Sequence, residues 1–303
     1  MTAMRTPKAD SVFAVPVAGV GDILVRQYTC TGAAKSNLML CHGNGFAIDA
    51  YAPFWAPLVA DHNLFAFDLR HHGRNEPAAE WLTGFETYAS DYDRIVAFIR
   101  ATAPGLPLIG ALHSVSAITA IFHAANNQNL LDGLILFDPP MQPPDGHPNH
   151  KMAFDFEYKL AAWARTRPAH FDTTQVLAEQ FGKSRSLSGW IDGAHQLMAE
   201  SILKPGDDGR WVLRCPPEAE AQNYISNAYL TTWDLFDRAD VPMALISADP
   251  EHPAGQSPAV VCAAINRERN IPLTAIPGTT HMLQIEKPDL CRAAFSDSLR
   301  YVL

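Results

Sequence analysis

A serine stands where the chain changes from one hydrophobic pattern to another. Residues 106–113 form a short, mostly apolar run, and from Val115 onward apolar side chains recur at helical spacing, with Ser114 at the join. A sharp strand-to-helix turn exposes a serine hydroxyl above a sheet and points the next N–H at any oxyanion formed there. Ser114 is therefore a candidate nucleophile and Val115 a candidate oxyanion-hole donor. The alternative is a buried serine that begins a core helix.

A glycine-punctuated loop earlier in the chain offers a second donor. The loop His42-Gly-Asn-Gly-Phe46 follows a predicted strand at 38–41, and two glycines let its backbone turn sharply and expose N–H groups. We expect the Asn44 or Gly45 N–H to complete an oxyanion hole; the alternative is an ordinary strand-to-helix turn. The loop lacks a phosphate-loop lysine and Gly-x-Gly-x-x-Gly spacing, which makes nucleotide binding the weaker interpretation.

Strands and helices alternate on both sides of a central segment. This pattern predicts an α/β fold with a largely parallel sheet and helices on both faces. Groups at the carboxyl ends of such strands meet at one edge of the sheet, which should bring together His42, Ser114, Asp249, Glu251 and His281. Besides the strand and the helix that meet at Ser114, the predicted strands are 12–17, 23–28, 38–41, 63–67, 131–137, 241–247 and 271–276, and the predicted helices are 50–61, 86–102, 258–269 and 288–303.

The central segment differs in composition from the rest of the chain. Five prolines fall within residues 139–150, aromatic and charged helical stretches follow, and no strand–helix alternation returns until Val241. Neighbouring strands are normally joined by short connections, so a long insertion must form its own layer over the sheet edge. We predict a core domain of residues 1–138 and 240–303 and a helical lid of residues 139–239. Some lid aromatics should line a pocket above the strand ends.

Composition narrows the possible partners and cofactors. The 303 residues include 48% hydrophobic and 18% charged residues, and a net charge of -9 gives no support for nucleic-acid binding. The five cysteines are scattered, so we expect reduced thiols rather than disulfides or a zinc site. His71 and His72 are adjacent in a glycine-containing turn and lack the spacing of paired metal ligands. No signal peptide or apolar run of roughly 18 residues is evident, and a cytoplasmic protein is expected.

Several motifs in order resemble those of the α/β-hydrolase family, over essentially the whole chain apart from the lid. His42-Gly-Asn-Gly resembles its oxyanion loop, and Asp68-Leu-Arg-His-His-Gly-Arg-Asn75 resembles its Asp-x-Arg-Gly-His-Gly-x-Ser turn. The segment from Gly278 to Pro288 resembles the Gly-x-x-His-x-x-x-x-Glu-x-Pro stretch that carries the catalytic histidine. The resemblance implies that Ser114 is the nucleophile and His281 the base, because a serine needs an imidazole to take its proton.

The acid of the implied triad has three candidates. The family resemblance points to an acid after the 241–247 strand: spacing slightly favours Asp249, with Glu251 as its alternative and Asp138, after the preceding predicted strand, as a third choice. The strand-to-helix turn around Ser114, the nucleophile elbow, also departs from the family's Gly-x-Ser-x-Gly motif, because Leu112 and Ser116 occupy the glycine positions. A leucine there could crowd the turn and leave an impaired site.

The sequence thus predicts a lidded serine hydrolase for a small, partly apolar carbonyl substrate. An ester, thioester, lactone or activated carbon–carbon bond would suit this chemistry, and neither a metal nor an organic cofactor is required. Two alternatives use the same fold: a cofactor-free lyase or oxygenase in which His281 acts as base, and a small-molecule receptor without turnover. The sequence leaves the substrate and the oligomeric state open.

Overall fold

An eight-stranded, mostly parallel sheet forms the centre of the computed structural model, which describes residues 4–19, 21–76, 83–126, 131–254 and 257–303. The strands of the described residues are β1 Ser11–Val17, β2 Gly21–Tyr28, β3 Asn37–Cys41, β4 Asn63–Phe67, β5 Leu108–His113, β6 Gly133–Phe137, β7 His170–Phe171, β8 Leu203–Pro205, β9 Trp211–Leu213, β10 Met243–Ser247 and β11 Leu273–Ala275. The strand order in the large sheet is β1-β2-β4-β3-β5-β6-β10-β11, with β2 antiparallel to its neighbours β1 and β4 and all other adjacent pairs parallel, as predicted.

Helices cover both faces of this sheet. The helices of the described residues are α1 Ala52–Trp55, α2 Phe85–Thr102, α3 Val115–Asn126, α4 His150–Thr166, α5 Thr174–Lys183, α6 Ala194–Ile202, α7 Pro217–Tyr229, α8 Leu235–Arg238, α9 Ser257–Arg269, α10 Leu283–Glu286 and α11 Pro288–Val302. The single helix predicted at 50–61 is instead the short α1 between two 3-10 turns, Ile48–Tyr51 and Ala56–Ala60. Pro53 and Pro57 explain the interruption, because proline has no N–H to donate to a helical carbonyl.

The central strands are buried on both faces, which is why they read as continuous apolar runs. Along β3, Leu38 and Leu40 enter a core shared with α1, α5, α6 and α11, whereas Met39 and Cys41 enter a core shared with α2, α3 and α9. Because side chains alternate across a strand, each central strand contributes to both cores. This double burial holds the carboxyl ends of β3, β5, β6 and β10 at a fixed edge.

Residues 139–239 form a layer over that edge and are not entirely helical. They hold α4 to α8 and a small antiparallel sheet of order β7-β9-β8. These three strands have two or three residues each, too few for an alternating pattern to reveal. Phe181 and Trp190 pack against Phe46 of the glycine-punctuated loop, with ring centroids 6.3 and 5.9 Å away. The proposed division of the chain at residues 138 and 240 stays a prediction.

Candidate active site

Ser114 lies at a sharp turn between β5 and α3. Its φ of 58° is in the left-handed region, which a residue with a side chain rarely adopts, and its N–H donates to the Phe137 carbonyl at 3.0 Å. Strained backbone of this kind persists where the surroundings over-determine it, often at functional sites. The turn thus holds the serine side chain above the carboxyl end of β5.

The two departures from the family's elbow are accommodated. Leu112 pairs with Cys41 and Leu136 in neighbouring strands and is fully buried in the core, so its side chain leaves the turn clear. The Ser116 hydroxyl donates a hydrogen bond to the His42 carbonyl, which joins the first turn of α3 to the glycine-punctuated loop. Leucine at the first glycine position therefore coexists with the strained turn.

Ser114, His281 and Asp138 form a continuous line of hydrogen bonds. Ser114 Oγ lies 2.9 Å from His281 Nε2, and His281 Nδ1 lies 2.7 Å from Asp138 Oδ2. The Asp138 side chain is fully buried, and its other oxygen accepts the Ala248 N–H at 3.1 Å. An imidazole held this way presents an unprotonated Nε2 to the serine and an N–H to the carboxylate.

The sequence slightly favours Asp249 as the acid that partners His281. The structure contradicts this prediction, because Asp138 is the carboxylate that contacts the imidazole. Asp249 accepts the Gly278 N–H at 2.8 Å and the Glu251 N–H at 2.9 Å, and these donors lower the pKa of its carboxyl. The Glu251 side chain is exposed. Asp249 therefore organises the loop before the histidine, while the third candidate, Asp138, reaches the ring. β6 and β10 are adjacent and parallel, so the carboxylates that follow them end at the same sheet edge and sequence spacing cannot separate them.

The rest of the histidine motif holds the loop in place. Glu286 accepts the Thr280 N–H at 2.6 Å and also the Thr280 hydroxyl, and Lys287 donates to the Pro277 carbonyl at 2.6 Å. Because Thr280 immediately precedes His281, the glutamate fixes the backbone that carries the imidazole. The motif residues thus have a structural explanation independent of any resemblance.

A buried histidine next to the serine links the glycine-punctuated loop to the base. His113 Nδ1 lies 2.9 Å from the Tyr51 hydroxyl, and His113 Nε2 lies 2.9 Å from the His281 carbonyl oxygen. Burial lowers the pKa of His113 well below its usual range, so the ring is neutral, accepting at Nδ1 and donating at Nε2. The Tyr51 hydroxyl in turn accepts the Gly43 N–H at 3.4 Å. The sequence gives no sign of these linked bonds, because Tyr51 lies in a core segment and its polar atom produces no local pattern.

Two backbone N–H groups remain available at the serine. The Gly45 N–H, one of the expected donors, is already donated to His72 Nε2 at 3.1 Å. Burial lowers the pKa of His72 to about 3, which keeps that nitrogen an acceptor. Within the described part of the chain, the N–H groups of Asn44 and Val115 donate to no protein atom. Asn44 and Val115 are therefore the candidate donors to an oxyanion formed at Ser114.

The position of the Asn44 backbone is fixed from the inserted layer. Its side-chain amide donates to the Glu220 carbonyl at 2.9 Å and its side-chain oxygen accepts from Asn223 at 2.8 Å. Asn223 also accepts the Tyr88 hydroxyl at 3.0 Å. The loop is thus held by α7 above it and, through Tyr88, by α2, which preorganises the donor.

Metal ligation finds no support in the described ranges, where histidine, cysteine and carboxylate side chains form no group of three or more. His72 Nδ1 lies 2.8 Å from the Arg70 carbonyl, so both nitrogens of that ring engage backbone groups. All five cysteines are buried free thiols.

Two neighbouring cavities lie between this edge of the sheet and the inserted layer, and they share lining residues. The outer chamber, of about 510 Å³, is mainly apolar and contains a buried ion pair between Arg167 and Glu220 with an N···O distance of 2.6 Å. The inner cavity, of about 30 Å³, reaches Ser114 and is also lined by Glu157. Both volumes are bounded by Phe46, Phe156, Leu160, Tyr224 and His281. A substrate could therefore place an apolar arm in the chamber and its reacting group in the inner cavity.

Comparison with known proteins identifies the family. The profile of the Alpha/beta hydrolase family matches residues 38–294, and the chain belongs to that family. Solved structures with the same fold include an E-2-(acetamidomethylene)succinate hydrolase, with a TM-score of 0.77, 18% identity and coverage of 96% of this chain and 99% of that one. An esterase from Thermogutta terrifontis superposes with a TM-score of 0.68, 19% identity and coverage of 96% and 99%.

Sequence relatives match over a shorter stretch. A monoglyceride lipase homolog of Monkeypox virus is 29% identical over 107 residues, which is 35% of this chain and 38% of that protein. The monoglyceride lipase of Homo sapiens is 27% identical over 118 residues, which is 39% of each. The chain thus matches less than half the length of these relatives. Among the described residues, no helix is both long and apolar enough to span a bilayer.

Proposed function

We propose that the protein is a serine hydrolase that cleaves a carboxylic ester of a small, partly apolar substrate. The observation that carries the proposal is the line of hydrogen bonds from Ser114 through His281 to Asp138, with distances of 2.9 and 2.7 Å. A hydroxyl, an imidazole and a buried carboxylate in this order are what acyl transfer by a serine requires. Thioesters and lactones contain the same electrophilic carbonyl and belong to the same reaction class.

The first half of the reaction forms an acyl-enzyme. Ser114 Oγ attacks the ester carbonyl carbon while His281 Nε2 takes its proton, and Asp138 stabilises the resulting imidazolium. The negative oxygen of the tetrahedral intermediate accepts the N–H groups of Asn44 and Val115. Collapse of the intermediate breaks the bond to the alcohol oxygen, which leaves with the proton from His281.

The second half repeats these steps with water. His281 takes a proton from a water molecule, whose oxygen attacks the acyl carbon and forms a second oxyanion in the same hole. Collapse releases the carboxylic acid and returns the proton to Ser114. The residues named are sufficient for the complete cycle.

The cavities support an ester with one apolar arm. The outer chamber of about 510 Å³ is lined chiefly by aromatic and aliphatic side chains of the inserted layer. The names of the lipase relatives and of the structurally similar esterase refer to proteins that act on esters, which agrees with this substrate class.

A fluorophosphonate probe tests the proposal directly. We expect one adduct, mapped to Ser114 by peptide mass, and hydrolysis of p-nitrophenyl esters by the same preparation. Ser114→Ala should abolish both, and His281→Ala should lower both by at least about 10³-fold. His147→Ala, which removes a partly buried histidine that is paired with Glu268 and lines neither cavity, is the matched control and should change neither. Folded protein that takes no label and hydrolyses no ester would refute the proposal, and tight binding without turnover would then indicate a receptor.

A further inference from the structure

The carboxyl group of Glu157 is buried near Ser114, the candidate nucleophile, and one of its oxygens has no hydrogen-bond partner. The residue lies on α4, is 2% exposed, and lines the inner cavity together with Ser114 and His281. Among the described residues, none offers a hydrogen bond to its Oε1. Burying a polar group without a partner costs stability, so such a group commonly has a ligand or a functional role.

The protonation state of Glu157 sets the chemistry it can recognise. Burial raises the pKa of its carboxyl to about 8, and a smaller effect of the Asn227 amide opposes this increase. Arg167, which lies in the same inserted layer, forms its ion pair with Glu220. At neutral pH the group is therefore mostly an uncharged carboxylic acid, which can donate one hydrogen bond and accept others.

The size and lining of the inner cavity restrict the partner further. Its volume of about 30 Å³, against the roughly 10–15 Å³ that one water molecule needs, leaves room for the reacting carbonyl and only a small substituent beside it. Phe156, Leu160 and Pro140 supply apolar walls, which would make a fully charged substituent costly to desolvate. A small neutral group that both donates and accepts fits these conditions, and a hydroxyl is the simplest such group.

We propose that Glu157 binds a hydroxyl group of the substrate that lies close to the ester bond, while the apolar arm occupies the outer chamber. The substrate class is then a hydroxy-substituted ester with one extended apolar part. This inference rests on the proposed hydrolase function and adds a specificity-determining residue to it. A hydroxyl on the alcohol part and one on the acyl part would both meet the Glu157 carboxyl, and the test separates them.

Two pairs of esters that differ by one hydroxyl group test the proposal. The first pair is 2-hydroxyethyl octanoate and propyl octanoate, and the second is methyl 2-hydroxyoctanoate and methyl octanoate. For the wild type we expect kcat/KM to favour the hydroxyl member of at least one pair by about 10-fold or more, since an unpaired buried group penalises the analogue. The pair that shows the preference identifies the part of the substrate that carries the hydroxyl.

Variants at Glu157 connect that preference to the carboxyl. Glu157→Gln keeps a neutral donor and acceptor and should retain most of the preference, whereas Glu157→Leu should reduce the ratio to within about 2-fold of unity. Glu218→Gln removes an exposed carboxylate from α7 and should behave as the wild type. Thermal unfolding confirms that each variant is folded.

The negative outcomes are distinguishable. If Ser114 is labelled and esters are cleaved but the wild type shows no preference, or Glu157→Leu keeps the wild-type ratio, the role of Glu157 is wrong and the hydrolase proposal stands. If wild-type protein neither takes the label nor cleaves any of the four esters, the hydrolase proposal itself fails.

Discussion

The carboxylate of Asp138 holds the ring of His281 at 2.7 Å, and the same carboxylate accepts the Ala248 N–H from the end of the neighbouring strand. This second bond fixes the carboxylate plane, so the imidazole is oriented by the sheet. We predict that Asp138→Asn lowers kcat for p-nitrophenyl butyrate by about 10⁴-fold, because an amide no longer selects the tautomer that leaves Nε2 free. Steady-state kinetics and the rate of fluorophosphonate labelling measure the loss.

Matched variants at the other two carboxylates complete that test. Asp249→Asn and Glu251→Gln should keep kcat within about 3-fold of the wild type, because neither side chain reaches the imidazole. Asp249→Asn should also lower the unfolding temperature slightly, since it weakens two bonds from backbone N–H groups. A large loss of kcat in Asp249→Asn with normal activity in Asp138→Asn would reverse the assignment.

Much of the architecture could be predicted from hydrophobic periodicity. The predicted strand at 63–67 and helix at 86–102 agree with Asn63–Phe67 and Phe85–Thr102. Ser114 could be singled out because a strand pattern and a helix pattern meet at one residue. The loop after β3 could be recognised from its glycines. All of these signals are local along the chain.

The features that could not be predicted depend on distant contacts. Asp138 and Asp249 follow adjacent parallel strands, and only the three-dimensional structure shows which carboxylate turns toward His281. Glu157 resembles any glutamate on an amphipathic helix until its burial and the cavity beside it are known. The sequence could not separate Gly45 from Asn44 as the oxyanion-hole donor. The Gly45 N–H is engaged by His72, which lies 27 residues further along the chain and gives no local signal.

The Tyr51 hydroxyl should contribute to catalysis although it is remote from the substrate. It joins the Gly43 N–H to His113 Nδ1, and His113 in turn holds the His281 carbonyl. We predict that Tyr51→Phe lowers kcat by about 10-fold with little change in KM and destabilises the fold by about 1 kcal/mol. The control Tyr28→Phe removes a hydroxyl that bonds the Pro7 carbonyl away from the site, and should leave kcat unchanged. A change confined to stability in both variants would show that Tyr51 does not position the base.

Leu112 should stabilise the hydrophobic core and should not slow the reaction. Leu112 lies on β5 between β3 and β6, and its side chain is fully buried in the core, so Leu112→Ala removes apolar contacts without relieving any crowding at Ser114. We predict a loss of about 3 kcal/mol in the free energy of unfolding, measured with urea, and no faster turnover. Leu131→Ala is a buried leucine control from the same core and should behave similarly. If Leu112→Ala alone turned over an ester substantially faster than the wild type, the leucine would be impairing the elbow.

The buried carboxyl of Glu157 should make stability depend on pH in an unusual direction. The pKa of this group is about 8 in the folded protein against an ordinary value of 4.5, so between these values the folded state keeps a proton that the unfolded state has lost. The free energy of unfolding therefore falls as the pH rises from 4.5 to 8 and levels above it. Glu157→Gln removes this decrease, and we predict that its stability relative to the wild type grows with pH by about 3–5 kcal/mol in total.

Urea unfolding at pH 5, 7 and 8.5 measures this difference. The stability of Glu157→Gln relative to the wild type should be smallest at pH 5 and largest at pH 8.5. Glu218→Gln, in which an exposed carboxylate is removed from α7, should differ from the wild type by a constant amount over the same range. A pH-independent difference for Glu157→Gln would mean that its carboxyl is solvated or paired in the folded protein. In that case no uncharged acid would be present beside Ser114 to bind a hydroxyl group.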